Sequence, residues 1–331
     1  MNKLLTMTAS PHIKSIIKTK NIMADVIFAL LPALVWAVYV YGLRALTITV
    51  ISVVSCVLTE YIYRKIMNKS NTVKDLSAVV TGLLLAFSLP VSVPLWMPVL
   101  GSVFAIIVAK QLYGGIGKNI VNPALAGRVF LFFAYSDEMC AYTLPGENLP
   151  AFKINVSSYA NQIIAGATPL ESMKSGKPMD CDMISTLVGN IPGCIGEVSA
   201  SILILTGLYL MLKKVITWHI PVTYIATVAV ITFAFPLHGA GRLDFMFTQL
   251  FSGGLMLAAF FMATDYVTSP ATKPGRIIYG VGCGLITVFI RYYGGFPEGA
   301  SFAILIMNLF VWYLDKATKP KVFGGVKNEK Q

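Results

Sequence analysis

The chain has 331 residues, of which 56% are hydrophobic and 12% charged, and its mean hydropathy is +0.72. Soluble globular domains carry about 25% charged residues, so this composition excludes that class and leaves an integral membrane protein. The formal charge of +11 does not argue for nucleic acid, because Lys and Arg fall in short clusters between apolar runs of spanning length.

The first 20 residues, "MNKLLTMTASPHIKSIIKTK", are basic and interrupted. They lack the apolar stretch and small-residue cleavage site of a signal peptide, so the first span is expected to be retained. Apolar runs then predict ten transmembrane helices, at roughly 22–41, 44–64, 76–92, 94–112, 119–135, 185–212, 216–235, 246–264, 277–291 and 298–315. Most basic residues fall on one side of this arrangement, among them Lys18 and Lys20, Arg64 and Lys65, Lys110 and Lys118, Lys213 and Lys214, Lys273 and Arg276, and the lysines of the tail. The positive-inside rule places both termini in the cytoplasm. Acidic residues Asp137, Glu138, Glu147, Glu171, Asp180 and Asp182 gather in the interval 136–184, which is expected to face outward.

Internal similarity divides the spans in two. "GLLLAF" at 82–87 in the third span echoes "GLMLAA" at 254–259 in the eighth, and "QLYGG" at 111–115 echoes "RYYGG" at 291–295. Matched positions in two five-helix halves imply an inverted repeat, because five is odd. The expected architecture is an all-α integral membrane protein with about ten transmembrane helices in two inverted five-helix repeats. Its parts are a cytoplasmic segment 1–21, a first repeat 22–135, an outer loop 136–184, a second repeat 185–315 and a cytoplasmic tail 316–331. Such repeats place ligand sites at their interface, beside interrupted helices, in transporters and redox subunits alike.

Cysteine and histidine offer no metal-type spacing. Cys140 and Cys181 share the outer interval as one possible disulfide, while His12, His219 and His238 are scattered. The informative residues are polar groups inside apolar runs, which need partners at membrane depth. "YGGIGKNIVNPALAGRVF", 113–130, combines the amides of Asn119 and Asn122 with Pro123 and Arg128. It reads as a site for a planar polar heterocycle, or as a capped helix start with a snorkelling arginine. "VGNIPGCIGE", 188–197, places Glu197 in a Gly/Pro-broken span, as a partnered carboxylate or an ion-path residue. "MATDYVTSPATKPGR", 262–276, is a basic inter-helix loop or a docking segment, and "YYGGFPEGASFAIL", 292–305, offers Glu298. Asp25, Glu60 and Asp75 are further ion-handling candidates, though each taken singly reads first as a solvated carboxylate at a helix end.

Taken in order, "GGIGKNIVNPALAGRVFLFFAY", "GATPL", "GNIPGCIGE", "FMATDYVTSP" and "GGFPEGASFAIL" resemble the RnfD/NqrB family, whose members are membrane components of the Rnf ion-translocating ferredoxin:NAD oxidoreductase and of the sodium-pumping NADH:quinone oxidoreductase. The resemblance spans about residues 20–315, and the chain's length fits the Rnf component more closely. It implies FMN joined through its phosphate to Thr168, with Gly166 and Ala167 giving access, attached on the outer side by a flavin transferase. This chain has Asn161 and Ala165 where the attachment signature carries an acidic residue and often Ser. The family also implies a non-covalent riboflavin near the cytoplasmic side at Asn119 and Asn122. From the residues themselves, Arg128 and Glu298 are further cofactor-site candidates, and Glu197 and Asp25 are ion-path candidates. The implied partners are the A, B, C, E and G components of the Rnf complex in the cell inner membrane, with Na⁺ or H⁺ translocation coupled to electron transfer and no activity from the chain alone. A flavin-free secondary transporter with the same repeat is the rival reading.

Overall fold

Helices form along the long apolar runs and break or end mainly where Gly, Pro and polar residues cluster. The computed structural model describes residues 18–146, 149–154, 168–175, 183–197, 199–237, 241–295 and 298–320. In chain order these give α1 Thr19–Tyr41, α2 Leu43–Ile66, α3 Ser77–Phe87, α4 Trp96–Gln111, α5 Pro123–Ala134, α6 Ser136–Cys140 and α7 Pro169–Lys174. They continue with α8 Met183–Val188, α9 Ala200–Leu212, α10 His219–Ala234, α11 Arg242–Phe251, α12 Leu255–Met262, α13 Lys273–Tyr293 and α14 Ala300–Ala317. Among the described residues there is no strand, only one antiparallel bridge between Pro90 and Cys194.

The protein is an all-α membrane protein. By length and composition α1, α2, α13 and α14 can each cross a bilayer, α11 and α12 form one span bent by 59°, and α3, α4, α5, α9 and α10 are shorter apolar helices. Each predicted span thus coincides with a helix or a broken pair. The third is shorter than expected, ending at Phe87 ahead of Pro90, and the fifth starts late, at Pro123, where Asn122 caps it. Packing repeats with an offset of five spans: α2 contacts α3 and α4 while α4 contacts α5, and α10 contacts α11 and α13 while α13 contacts α14. The halves meet where α1 packs on α9 and α5 on α14.

The buried helix faces carry many of the small and polar residues. In α1 the buried residues Ala29, Ala33, Ala37 and Tyr41 recur every fourth position, so the small side chains let α9 approach closely. Phe28, Val35 and Tyr39 point outward, as lipid contact requires. The buried face of α2 runs Ile48, Ser52, Cys56, Glu60 and Arg64, again at spacing four, opposite exposed Leu46, Val50, Val54 and Leu58. Glu60 and Arg64 are therefore buried, which corrects the reading of Glu60 as a solvated helix end and of Arg64 as a flank. Lys110, also expected in a cytoplasmic flank, is buried as well.

Two spans are interrupted. The sixth breaks between α8 and α9, through Gly189 at φ +91° and a tight turn at Ile195–Glu197. The eighth breaks at Ser252–Gly254, where Gly253 and Gly254 have φ of +70° and +63°, a backbone region that strains most other residue types. Carbonyls freed by such a break must find donors inside a membrane. Arg291 of α13 supplies them, donating to Gln249 O at 2.5 Å, Ser252 O at 3.1 Å and Gly253 O at 3.4 Å. Arg44 of α2 does the same for the segment after α3, donating to Val91 O and Val93 O at 2.8 Å each.

Candidate functional site

A cavity of about 430 Å³ lies where the first turns of α1, α3 and α5 meet the last turn of α9, the end of α12 and Thr264–Val267. Its size falls within the range of small-molecule sites, about 300–1,000 Å³. Ile22, Val26, Leu84, Phe260 and Phe261 form apolar walls, and Ser77, Thr81, Lys110, Asn119, Asn122 and Asp265 supply polar edges. Two π-helical turns border it, Ile107–Gln111 at the end of α4 with Lys110 and Ala258–Met262 in α12 with both phenylalanines. Such widened turns are frequent at functional sites.

Asn122 both caps and bridges. Its carbonyl oxygen accepts from Ala124 N at 3.0 Å, and its Nδ2 donates to Met262 O at 3.1 Å, fixing the start of α5 against the end of α12. With the Asn308 amide oriented to match its neighbours, its oxygen accepts from Asn122 N at 3.1 Å and its nitrogen donates to Thr268 O at 3.1 Å. Asn119 donates to Val121 O at 3.2 Å. Asp265 lies in the loop after α12; burial raises its carboxyl above the usual range, opposed by Thr268, the Val267 amide, Asn119 and the Lys110 charge. Behind the wall, Lys110 Nζ donates to Glu60 Oε2 at 2.7 Å and Ser77 Oγ at 2.8 Å, while Thr72 donates to Glu60 Oε1 at 2.6 Å.

A second polar cluster lies further along α5. Arg128 forms a buried ion pair with Glu298 and donates to Ser301 Oγ at 2.7 Å, and Tyr142 donates to Glu298 Oε1 at 2.8 Å. Arg128 therefore does not snorkel, nor does it line the cavity. Ligand-type atoms of Cys194, Glu197 and Glu298 lie within 4.8 Å of one another. Glu197 Oε1 is buried, has no hydrogen-bond partner among the described residues, and faces the break of the eighth span, 3.1 Å from where a Cβ on Gly254 would sit. The interruptions of the sixth and eighth spans thus converge on this carboxylate.

Thr168 occupies a third place. It is 4% exposed and caps α7, its Oγ1 accepting from Glu171 N at 3.2 Å. α7 packs on α11 and α13: Met173 meets Gln249, and Lys174 donates to Gly294 O. Gly166, Ala167 and Cys181 lie outside the described residues. Asp25 sits on the α1 surface in a half-exposed pair with Lys213 at 2.7 Å and is not part of the cavity lining.

The structure thus joins Asn119 with Asn122, and Arg128 with Glu298 and Glu197, and separates both groups from Thr168 and Asp25. Lys110, Tyr142 and Asp265 emerge as partners of these groups only in three dimensions. For Glu60 a signal was present, the four-residue spacing Ser52, Cys56, Glu60, Arg64 on one helix face.

Known proteins share this chain end to end. The family described as "NQR2, RnfD, RnfE family" matches residues 6–324. The D component of the Na⁺-translocating ferredoxin:NAD⁺ oxidoreductase complex of Acetobacterium woodii is 45% identical, over 100% of this chain and 99% of its own. Its counterpart in the proton-translocating ferredoxin:NAD⁺ oxidoreductase complex of Clostridium ljungdahlii is 38% identical over 97% and 96%. The D component of the ion-translocating oxidoreductase complex of an Escherichia coli strain is 35% identical over 96% and 97%. With the match covering nearly every residue and every helix described, the chain belongs to the NQR2, RnfD, RnfE family.

Proposed function

We propose that this chain is the D component of an Rnf-type complex, coupling electron transfer between ferredoxin and NAD⁺ to Na⁺ or H⁺ translocation. Its full-length likeness to proteins so named supports this assignment over a quinone-reductase component or a flavin-free transporter. In this reading it works beside the A, B, C, E and G components of the Rnf complex, with both termini cytoplasmic and the loop 136–184 outside.

The observation that carries the cofactor assignment is the cavity at Asn119, Asn122 and Asp265. A flat heterocycle with a polar edge needs apolar faces and amide or carboxylate partners, and Phe260, Phe261, Asn119, Asn122 and Asp265 are the residues that would hold riboflavin there. Bound flavin supplies one- and two-electron redox chemistry, while the protein binds and orients it and adjusts its electrostatics. Thr168 is the residue that would carry FMN as a phosphoester. Its hydroxyl oxygen is the atom esterified, so attachment weakens the cap on Glu171 N, a bond of about 1 kcal/mol. Glu197 is assigned to the cation path, since its unpartnered oxygen sits where both interrupted spans open toward it.

Peptide mass analysis of the protein from its native membrane tests the covalent site. The peptide containing "IIAGATPLESMK" should carry FMN, and a Thr168→Ala variant should lose that adduct while keeping non-covalent flavin. An unmodified peptide, in cells with an active flavin transferase, would refute the covalent assignment.

A further inference from the structure

Resting on the flavin reading of the cavity, we propose that Lys110 sets the reduction potential of the flavin bound there, with Glu60 holding its ammonium at the cavity wall. Among the described residues that line the cavity, Lys110 is the only cationic side chain and Asp265 the only carboxylate. Glu60 is not part of the lining; it stands behind Lys110, itself fixed by Thr72.

A buried Lys–Glu pair is weak evidence for stability, because desolvating both charges offsets their attraction and an apolar pair of similar volume often serves as well. The placement of this pair has a different consequence. Lys110 lies in the π-helical turn of α4 and belongs to the cavity lining, and two of its three donors go to Glu60 and Ser77, which leaves the third uncommitted among the described residues. Lys110 belongs to the lining and Glu60 does not, so the positive member of the pair is the one nearer to whatever occupies the cavity.

Two-electron reduction of a flavin with uptake of one proton leaves one negative charge on the ring system. A fixed cation in a wall shielded from water stabilises that charged product more than the neutral oxidised ring. Removing the cation therefore shifts the equilibrium toward the oxidised form, whereas exchanging it for another cation does not.

The test uses the full-length chain carrying Thr168→Ala, so that non-covalent flavin is the sole chromophore, purified in detergent and titrated with dithionite. One derivative adds Glu60→Gln and Lys110→Met together, so that no unpaired buried charge threatens folding. The other adds Lys110→Arg, which keeps the charge. Flavin content after denaturation is measured alongside the potential. We expect all three proteins to hold comparable flavin, with the double replacement favouring the oxidised form at least tenfold, about 30 mV for a two-electron couple. The Lys110→Arg protein should stay within about threefold of the parent. Flavin retained at an unchanged potential, or an equal shift in the Lys110→Arg protein, would overturn the proposal and leave the cavity reading standing. Loss of flavin from the double variant alone would make Lys110 a binding residue and likewise overturn it. A parent without bound flavin would overturn the cavity reading and this proposal with it.

Discussion

Arg128 shows how much one residue's role depends on its partners. Read along the chain it is a base near a glycine-rich turn, but in the fold it neutralises Glu298 across the interface of the two halves. Arg128→Met leaves Glu298 buried without its counter-charge, though still bonded to Tyr142, and should cost about 3–5 kcal/mol, visible as a lowered melting temperature in detergent. Combining it with Glu298→Gln should recover most of that loss, and a double variant no better than the single would show that the pair does not act as a unit. Glu197→Gln tests a different property: it removes a charge but no hydrogen bond to Oε1. Flavin content and electron transfer should persist while cation transport falls by at least an order of magnitude; unchanged transport would remove Glu197 from the ion path.

At the scale of elements, apolar run length made the spans legible and Gly/Pro content marked the interruption of the sixth, whereas the eighth reads along the chain as one unbroken span at 246–264. Asn119 and Asn122 could be read together because both amides stand just ahead of Pro123, whose ring favours the first turn of a helix. What escaped was anything that depends on which helix face is inside: Lys110 looked like a solvated flank because its partners Glu60 and Ser77 lie 50 and 33 positions away. The break at Ser252–Gly254 gives a sharp prediction. A Cβ on Gly253 would lie 2.8 Å from Arg291 Nη2, close against Leu170, in a backbone region that disfavours it. Gly253→Ala should therefore displace α7 and lower covalent flavin yield at Thr168, read as the modified fraction of the peptide, with the cavity flavin retained. Equal loss of both flavins would point to general unfolding instead.

Across the whole molecule, Gln249 in the first half of the bent eighth span touches Met173 of α7, the helix that Thr168 caps, and Phe261 near its end lines the cavity. One element thus connects the two proposed flavin sites, separated by about 18 Å of helix at 1.5 Å rise per residue, less the shortening from the bend. Sidedness is open to a direct check at exposed Cys140 in α6. Burial of its sulfur and the nearby Glu171 and Asp137 push the thiol above its usual range. A membrane-impermeant maleimide should consequently label it from outside intact cells, slowly at neutral pH and faster as alkalinity raises the thiolate fraction. A cysteine introduced by Lys319→Cys should react only after the cells are opened; the reverse pattern would invert the topology.

The contacts between α5 and α14 are reciprocal: Arg128 of α5 grips the start of α14, and Asn308 of α14 grips the start of α5. Cutting the gene between the repeats would thus yield two fragments, each inserting a polar group without its counterpart into lipid, where such groups are costly. Each fragment produced alone should be degraded, and the two produced together should protect one another and copurify. The two halves would then be obligate companions, held together by buried polar contacts more than by the chain that joins them.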